Sequence, residues 1–409
     1  MRSKAIILSI IFIITLSLRI GTVFLQKESK GVPARDALQY DNLAVSIVSG
    51  NGLSEIINGK RIRSMHRMPL YPMFLAGIYT VFGHNYFAVK IIQAILGAFL
   101  CLIIYFITSQ IYSKTTALLA ALIVAIYKPF ISGFNYYGGP GYLLSEYFYM
   151  FILGITFLIA MFFLRKENKI FGALFGLTMG LAILTRPEFA LYPILLLVYF
   201  FCLVKFSIKK VFRRYLIIYI FIVLTLAPWV ARNYMIEKKF IPLTTHGGLI
   251  FWHGNNSLAR GGMVNMPPGY QEAIQRLEGI SEAEQSKVFL KKGLNYLANN
   301  PKVIPKLFIK KVLVHWAPFE QGFRLFNVYY AIILLFAAVT FLFFIKYSRP
   351  EIILLVIFLS TTLVTIITAG DPRYRYPYEP FLIIFAAFGM HDIYKFIITK
   401  IKHWRYRQK

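Results

Sequence analysis

Acidic residues are scarce in this chain, 17 Asp and Glu against 45 Lys and Arg, so the places where carboxylates meet arginines stand out. Asp36 and Asp41 lie in "VPARDALQYDNLAVSIVSGNG", about ten residues beyond the first long apolar run. Arg67 opens "RMPLYPMFLAGIYTVFG", Glu146 sits in "LLSEYFY", and Arg186 and Glu188 share "ILTRPEFAL". Arg232 ends an apolar run in "APWVARNY", and Asp371, Arg373 and Arg375 fill "DPRYRYPYEPFL". Each falls beside or at the end of an apolar run. An ionisable group there must offset its desolvation with a partner, water or a ligand, which marks it as a candidate site residue. A positioned carboxylate can accept a proton and guanidinium groups can hold an anion.

Each residue also has a plainer reading. Asp41 suits a helix cap or a solvated loop. Glu188 follows Pro187 at a helix start, where the dipole favours a carboxylate. Arg232 can anchor a span at the headgroups, and Lys306, Lys310 and Lys311 suit lipid phosphate. His66, His246 and His253 lack HExxH spacing, and "NNS" at 255 has the form of a glycosylation acceptor.

The elements that position these residues follow from composition. Hydrophobic residues make up 58% of 409 positions, more than a soluble chain of this length can bury, so the chain reads as a polytopic membrane protein. The net charge of +28 is spread between apolar runs rather than gathered on one soluble face, which excludes a nucleic-acid binder. Cys101 and Cys202 both lie within apolar runs, and no CxxC pattern supports a disulfide framework or zinc site. Runs of about twenty apolar residues place spans at 5–26, 86–108, 115–136, 143–164, 169–186, 188–206, 214–232, 326–346, 351–369 and 377–398. The first follows a basic "MRSK" and lacks a small-residue cleavage site, so it reads as a retained anchor.

With ten alternating spans, "RKENK", "KFSIKKVFRR", "KYSR" and the basic tail share one side, and the positive-inside rule makes it cytoplasmic, with both termini. Residues 27–85, the 186–188 junction, 233–325 and the 370–376 turn then face outward, collecting the acids and arginines at one surface. Residues 69–83 are apolar but short and read as an interfacial helix. Ser281 and Glu284 have capping-box spacing before another amphipathic segment. The expected organisation is a membrane bundle over 1–232 carrying the first outer loop, a lid over 233–325 and C-terminal spans over 326–409.

Taken in order, these motifs, with Asp36-x-x-x-Tyr40-x-x-x-Ala44, Gly50, Gly52 and "LIFWHGNNSLARGG", resemble GT-C glycosyltransferases of the dolichyl-phosphate-mannose protein mannosyltransferase-like group, which includes aminoarabinose transferases. The resemblance implies an all-α GT-C bundle of about ten transmembrane helices with interfacial helices and a small extracytoplasmic lid. It implies transfer of a sugar, with inversion, from a polyprenyl-phosphate donor to an envelope lipid, glycan or protein at the outer face of a bacterial inner membrane. Asp36 matches the family's base and Glu146 its second acidic position. Arg67, Arg186, Arg232, Arg373 and Arg375 are the candidates for the donor phosphate, and Tyr40, Tyr374 and His66 for the sugar or lipid. No cofactor is required by this reading, and a divalent metal remains open. Ala37 after Asp36 departs from the acidic pair of eukaryotic protein mannosyltransferases. A transporter or flippase of lipid-linked sugars is the main alternative; it favours related halves and midplane polar residues, whereas here the polar residues crowd one surface.

Overall fold

The computed structural model describes residues 2–25, 35–57, 59–133, 139–205, 207–264, 266–320 and 325–407. Part of the first outer loop (27–34) and the end of the span expected over 115–136 (134–136) therefore lie outside the described residues.

The chain is almost entirely helical. Helix α1 (Arg2–Leu25) leads to α2 (Asp36–Val48), a hairpin of β1 (Ser54–Ile57) and β2 (Lys60–Arg63), and α3 (Leu70–Phe82). Then come α4 (Tyr86–Ile111), α5 (Lys114–Ile126), α6 (Lys128–Ser132), α7 (Ser145–Lys166), α8 (Lys169–Thr185), α9 (Leu191–Leu203) and α10 (Ile208–Glu237). Shorter helices α11 (Gly247–Gly254), α12 (Tyr270–Arg276), α13 (Glu282–Asn299) and α14 (Ile304–Trp316) precede the last bundle helices. These are α15 (Val328–Val339), α16 (Arg349–Ile367), the single turn α17 (Pro372–Arg375) and α18 (Glu379–Arg407).

Every expected span coincides with an apolar helix, and the chain is an integral, multi-pass membrane protein. Among the described residues, six helices (α1, α4, α7, α10, α16 and the α17–α18 stretch) are long and apolar enough to cross a membrane by themselves; Lys114–Ile126, Lys169–Thr185, Pro187–Leu203 and Val328–Phe344 are apolar but shorter. The span expected over 115–136 breaks early. Tyr127 is extended between α5 and α6, and Pro129, which lacks an N–H and whose ring would crowd the carbonyl four residues back, is tolerated in the first turn of α6 but not in a continuation of α5.

Helix α7 is central, packing against α4, α8 and α16. Along α8, Gly172, Gly176 and Gly180 recur every fourth residue and face α10: a Cβ at Gly176 would run into the Ile218 carbonyl, and one at Gly180 would lie 2.5 Å from Thr225. Small residues at this spacing let two apolar helices approach backbone to backbone, where van der Waals contact replaces a hydrophobic driving force. One large core of buried Leu, Ile, Phe, Tyr and Ala side chains joins α4, α5, α7, α8, α9, α16 and α18.

The segment between α10 and α15 has only a small core of its own, Trp252, Ala273, Leu277 and Phe289. It is tied to the bundle instead. Glu282 accepts from Ser64 Oγ at 2.9 Å, Met65 N at 2.8 Å and Thr245 Oγ1 at 2.8 Å, and Gly370 N donates to Gly261 O at 2.8 Å. Three local expectations are corrected here. Ser281 makes no side-chain cap; Glu284 pairs with Lys239 and Lys287. A capping box forms at Ser348–Glu351. Asn255 is fully buried, donating to Phe251 O and Ile367 O, so "NNS" is not displayed as an acceptor. Lys311 is likewise buried, its Nζ reaching Asn255 Oδ1 at 2.8 Å and Ile366 O at 3.0 Å rather than lipid phosphate.

Candidate active site

Asp36 is the first residue of α2, where a carboxylate is favoured by the helix dipole. Residues i, i+3 and i+4 share a helix face, so Gln39 and Tyr40 stand beside it and all three meet Arg67. Arg67 Nη2 lies 2.5 Å from Asp36 Oδ1, its Nε donates to Gln39 Oε1 at 2.6 Å, and its guanidinium sits over the Tyr40 ring at 5.2 Å. The segment carrying Arg67 is clamped by the segment after α10: Thr245 N and Thr244 Oγ1 donate to Met65 O at 3.1 and 2.9 Å.

Arg373 completes the group. Its Nη1 donates to Asp36 Oδ2 at 2.7 Å and its Nε to Glu146 Oε1. Glu146, at the buried start of α7, also faces Arg186 Nη1 at 3.2 Å, and Arg186 Nε donates to Glu188 Oε1 at 2.5 Å. The Arg186 guanidinium lies between the rings of Tyr149 and Tyr374, 5.8 and 5.7 Å away. Three carboxylates and three guanidiniums thus form one charge-balanced chain across α2, the segment before α3, α7, the α8–α9 junction and α17. Burial raises the Asp36 carboxyl, but the charges of Arg67 and Arg373 and their hydrogen bonds outweigh it, holding this group well below the usual carboxylate range.

Asp36, Arg67, Arg186, Glu188 and Arg373 line a cavity of about 2520 Å³, together with Tyr40, Tyr374 and His66. One flank is apolar and reaches the membrane helices through Val23, Leu25 and Phe87; the other runs along α16 at Val364 and Ile367. Glu146 does not line the cavity. It lies behind the arginines, 1% exposed, with Oε2 buried and unpaired. Tyr40 contributes its ring and places its hydroxyl 3.4 Å from Ser145 Oγ.

Two predicted arginines are not brought there. Arg375 is buried against the Tyr330 ring at 3.7 Å, pairs with Glu379 at 3.2 Å and donates to His315 O and Ala317 O. The expectation that Arg373 and Arg375 point together assumed an extended strand; α17 is helical, and residues two apart on a helix face opposite ways. Arg232 donates to Leu53 O at 2.8 Å and stacks on Trp229, away from the cavity. Asp41 is a buttress, accepting from Tyr79, His84 and Tyr86 at 2.7–2.8 Å and so joining α2 to α3 and α4.

Sequence reasoning missed Gln39, Glu282 and Lys90. The i, i+3 spacing from Asp36 was the available signal for Gln39. Lys90, in the first turn of α4, lines the cavity beside the apolar flank and makes no ion pair or side-chain hydrogen bond among the described residues. A divalent metal is poorly matched to this arrangement. Both Asp36 oxygens are taken by guanidiniums, and the described residues hold no group of three His, Cys, Asp or Glu suited to a metal ion.

Residues 66–231 match the family described as dolichyl-phosphate-mannose-protein mannosyltransferase. The fold matches the oligosaccharyltransferase of Archaeoglobus fulgidus in its apo form, at 14% identity and a TM-score of 0.59, over 99% of this chain and 52% of that one. The chain has a GT-C-type membrane fold. The archaeal oligosaccharyltransferase AglB from the same organism, in complex with an inhibitory peptide and a dolichol-phosphate, matches this chain at 16% identity and a TM-score of 0.50, covering 98% of this chain and 51% of that one. ArnT from Cupriavidus metallidurans is matched more loosely, at 12% identity and a TM-score of 0.45 over 92% and 76%. This chain thus spans about half the length of the oligosaccharyltransferases it matches. A comparison with curated proteins finds no match.

Proposed function

We propose that the protein is an inverting glycosyltransferase that moves a sugar from a polyprenyl-phosphate donor to a cell-envelope acceptor at the extracytoplasmic face of a bacterial inner membrane. The observation that carries this reading is the Asp36 carboxylate, shared by Arg67 and Arg373 in a cavity whose apolar flank opens among the membrane helices. A polyprenyl tail suits that flank, leaving the sugar phosphate beside the charges.

In the reaction the acceptor's hydroxyl or amine attacks the anomeric carbon while Asp36 takes its proton. The bond from that carbon to the phosphate oxygen breaks, and polyprenyl phosphate leaves with the electron pair. A single displacement inverts the anomeric centre. A weakly basic carboxylate suffices because the nucleophile becomes acidic only as its bond forms. The three guanidiniums are already balanced by Asp36, Glu146 and Glu188, so the donor phosphate needs a further cation or must exchange partners with Asp36. Lys90 supplies the first beside the apolar flank. Arg373 supplies the second by turning toward the phosphate, which frees one Asp36 oxygen for the acceptor. Glu146 then acts as a positioning residue, holding Arg373 and Arg186 in place as charge develops.

The test uses purified protein in liposomes with radiolabelled polyprenyl-phosphate sugars. Transfer of label to a water-soluble or lipid acceptor supports the reading. Movement of unchanged donor between leaflets, with no transfer, makes the protein a flippase.

A further inference from the structure

The lid contributes polar atoms that the ion-pair chain does not use. His253, on α11, is 8% exposed, lines the cavity, and has no hydrogen-bond partner at either ring nitrogen among the described residues. His246 also lines the cavity, with Nδ1 buried and unpartnered among the described residues. Its ring meets that of His66 edge-on, 4.0 Å between centroids, and His66 adjoins Arg67. A row of imidazoles therefore leads from the Asp36–Arg67 pair into the space beneath the lid. Buried polar atoms are nearly always satisfied in folded proteins, so orphaned ones facing a cavity point to a ligand.

The chemistry of that ligand follows from the rings and walls. Burial, the largest cause at each, pulls His253 down to about 4 and His66 to about 3, and holds His246 well below its usual value. All three are neutral at physiological pH, and a neutral imidazole offers one donor and one acceptor. A hydroxyl group offers the same pair. An ammonium group cannot donate to the imidazole N–H sites and meets Arg67 and Arg260 on the same wall; a carboxylate brings no donor. Leu249, Tyr270, Ile274 and Phe289 complete the lobe with surfaces fit for the C–H face of a sugar ring.

We propose that this lobe is the acceptor subsite and that the acceptor presents a sugar, whose hydroxyls pair with His246 and His253. This deepens the glycosyl-transfer reading above and rests on it for the word acceptor, though not for the binding of a sugar. The sugar belongs either to a free glycan or to a glycolipid headgroup.

Carbethoxylation by diethyl pyrocarbonate, read at each histidine by mass spectrometry on the protein in nanodiscs, tests binding without catalysis. Maltotriose serves as the free-glycan probe and octyl glucoside, below its micellar concentration, as the glycolipid probe. Either should slow modification of His246 and His253 at least fivefold while leaving His84, whose side chain is half exposed, unchanged. Protection by octyl glucoside alone assigns a glycolipid; protection by maltotriose assigns a glycan. His253→Phe should abolish protection of His246, and His253→Gln, which keeps a donor and an acceptor, should preserve it. No protection by either sugar, or protection by equimolar zinc or a threonine amide instead, overturns the proposal. In the transfer assay His253→Phe should raise the acceptor KM at least tenfold with the donor KM unchanged; a change confined to the donor KM also overturns it. If the wild-type protein protects these histidines yet transfers no sugar, the glycosyl-transfer reading fails while the sugar site stands.

Discussion

Asp36 combines a helix start, two guanidinium partners and a cavity wall, and its partners come from positions 31 and 337 residues away. Asp36→Asn keeps the shape but cannot take a proton, so sugar transfer should fall below detection in the liposome assay while the protein still inserts in the membrane. Near-normal turnover would remove Asp36 from the chemistry. The pH dependence has a definite sign. Burial opposes ionisation, Arg67 and Arg373 outweigh it, and the folded group titrates below the unfolded value of about 3.9. The stabilisation from this pairing is therefore complete above about pH 4 and fades as the pH falls through the depressed folded value. Between about pH 5 and 7 the profile of kcat/KM should show no limb belonging to Asp36. A limb in that range that moves in Asp36→Glu would contradict this. Arg373 bridges Asp36 and Glu146 with two nitrogens, a geometry that an ammonium cannot copy. Arg373→Lys should lower kcat roughly a hundredfold, about 2–4 kcal/mol in the transition state. Arg375→Lys should instead lower the melting temperature, through lost contact with Tyr330 and two carbonyls, and leave kcat within a few-fold. Equal kinetic losses in both variants would undo the distinction.

At the scale of elements, the aim of Arg373 depends on a single helical turn and the glycine before its cap. Asp371 caps α17 by accepting from Arg373 N at 2.8 Å, and Gly370 sits in a parallel bridge with Gly262 of the lid. A Cβ at Gly370 would fall within 3.0 Å of Gly261 O and still nearer Lys311 O, both backbone atoms that have little room to yield. At Gly262 the nearest atom would be 3.8 Å away. Gly370→Ala should therefore cost about 1–3 kcal/mol of stability and reduce transfer by displacing α17, whereas Gly262→Ala should stay within about 0.5 kcal/mol. Thermal unfolding of the two variants in the same detergent checks the contrast; equal melting temperatures would show that the bridge does not constrain the turn. The Gly172, Gly176 and Gly180 stripe does comparable work elsewhere, fixing how closely α8 approaches α10 and so where the Arg186 junction emerges.

For the whole molecule, the segment over 233–325 is bound to the bundle at several separate points: Glu282 to the Arg67 segment, Asn255 to the end of α16, and Gly261 to Gly370. With so small a core of its own, it packs on the bundle and lines part of the cavity. If the charged cavity faces outward, the exposed Ser257 in this segment is extracytoplasmic. Ser257→Cys in a background lacking Cys101 and Cys202 should react with an impermeant maleimide on spheroplasts. Labelling only after the inner membrane is breached would place the cavity, and with it the chemistry, on the cytoplasmic side.

Local sequence determined where the helices lie, because crossing an apolar solvent requires runs of apolar residues that hydropathy reads directly. It also marked Asp36, Arg67, Arg186 and Arg373, since ionisable groups at the ends of such runs are expensive without a purpose. Partner choice was beyond its reach. Whether Arg375 follows Arg373 into the cavity depends on two residues adopting one helical turn, and the sequence period alone allows an extended segment as well. Lys311 and Asn255 look like surface residues until α14 and α11 are packed against the end of α16, where each satisfies the other and the free carbonyls of that helix. The histidines of the lid carry no recognisable spacing because their meeting point is a cavity wall built from separate segments. Tertiary structure decided these, since burial and pairing are properties of surfaces brought together by folding.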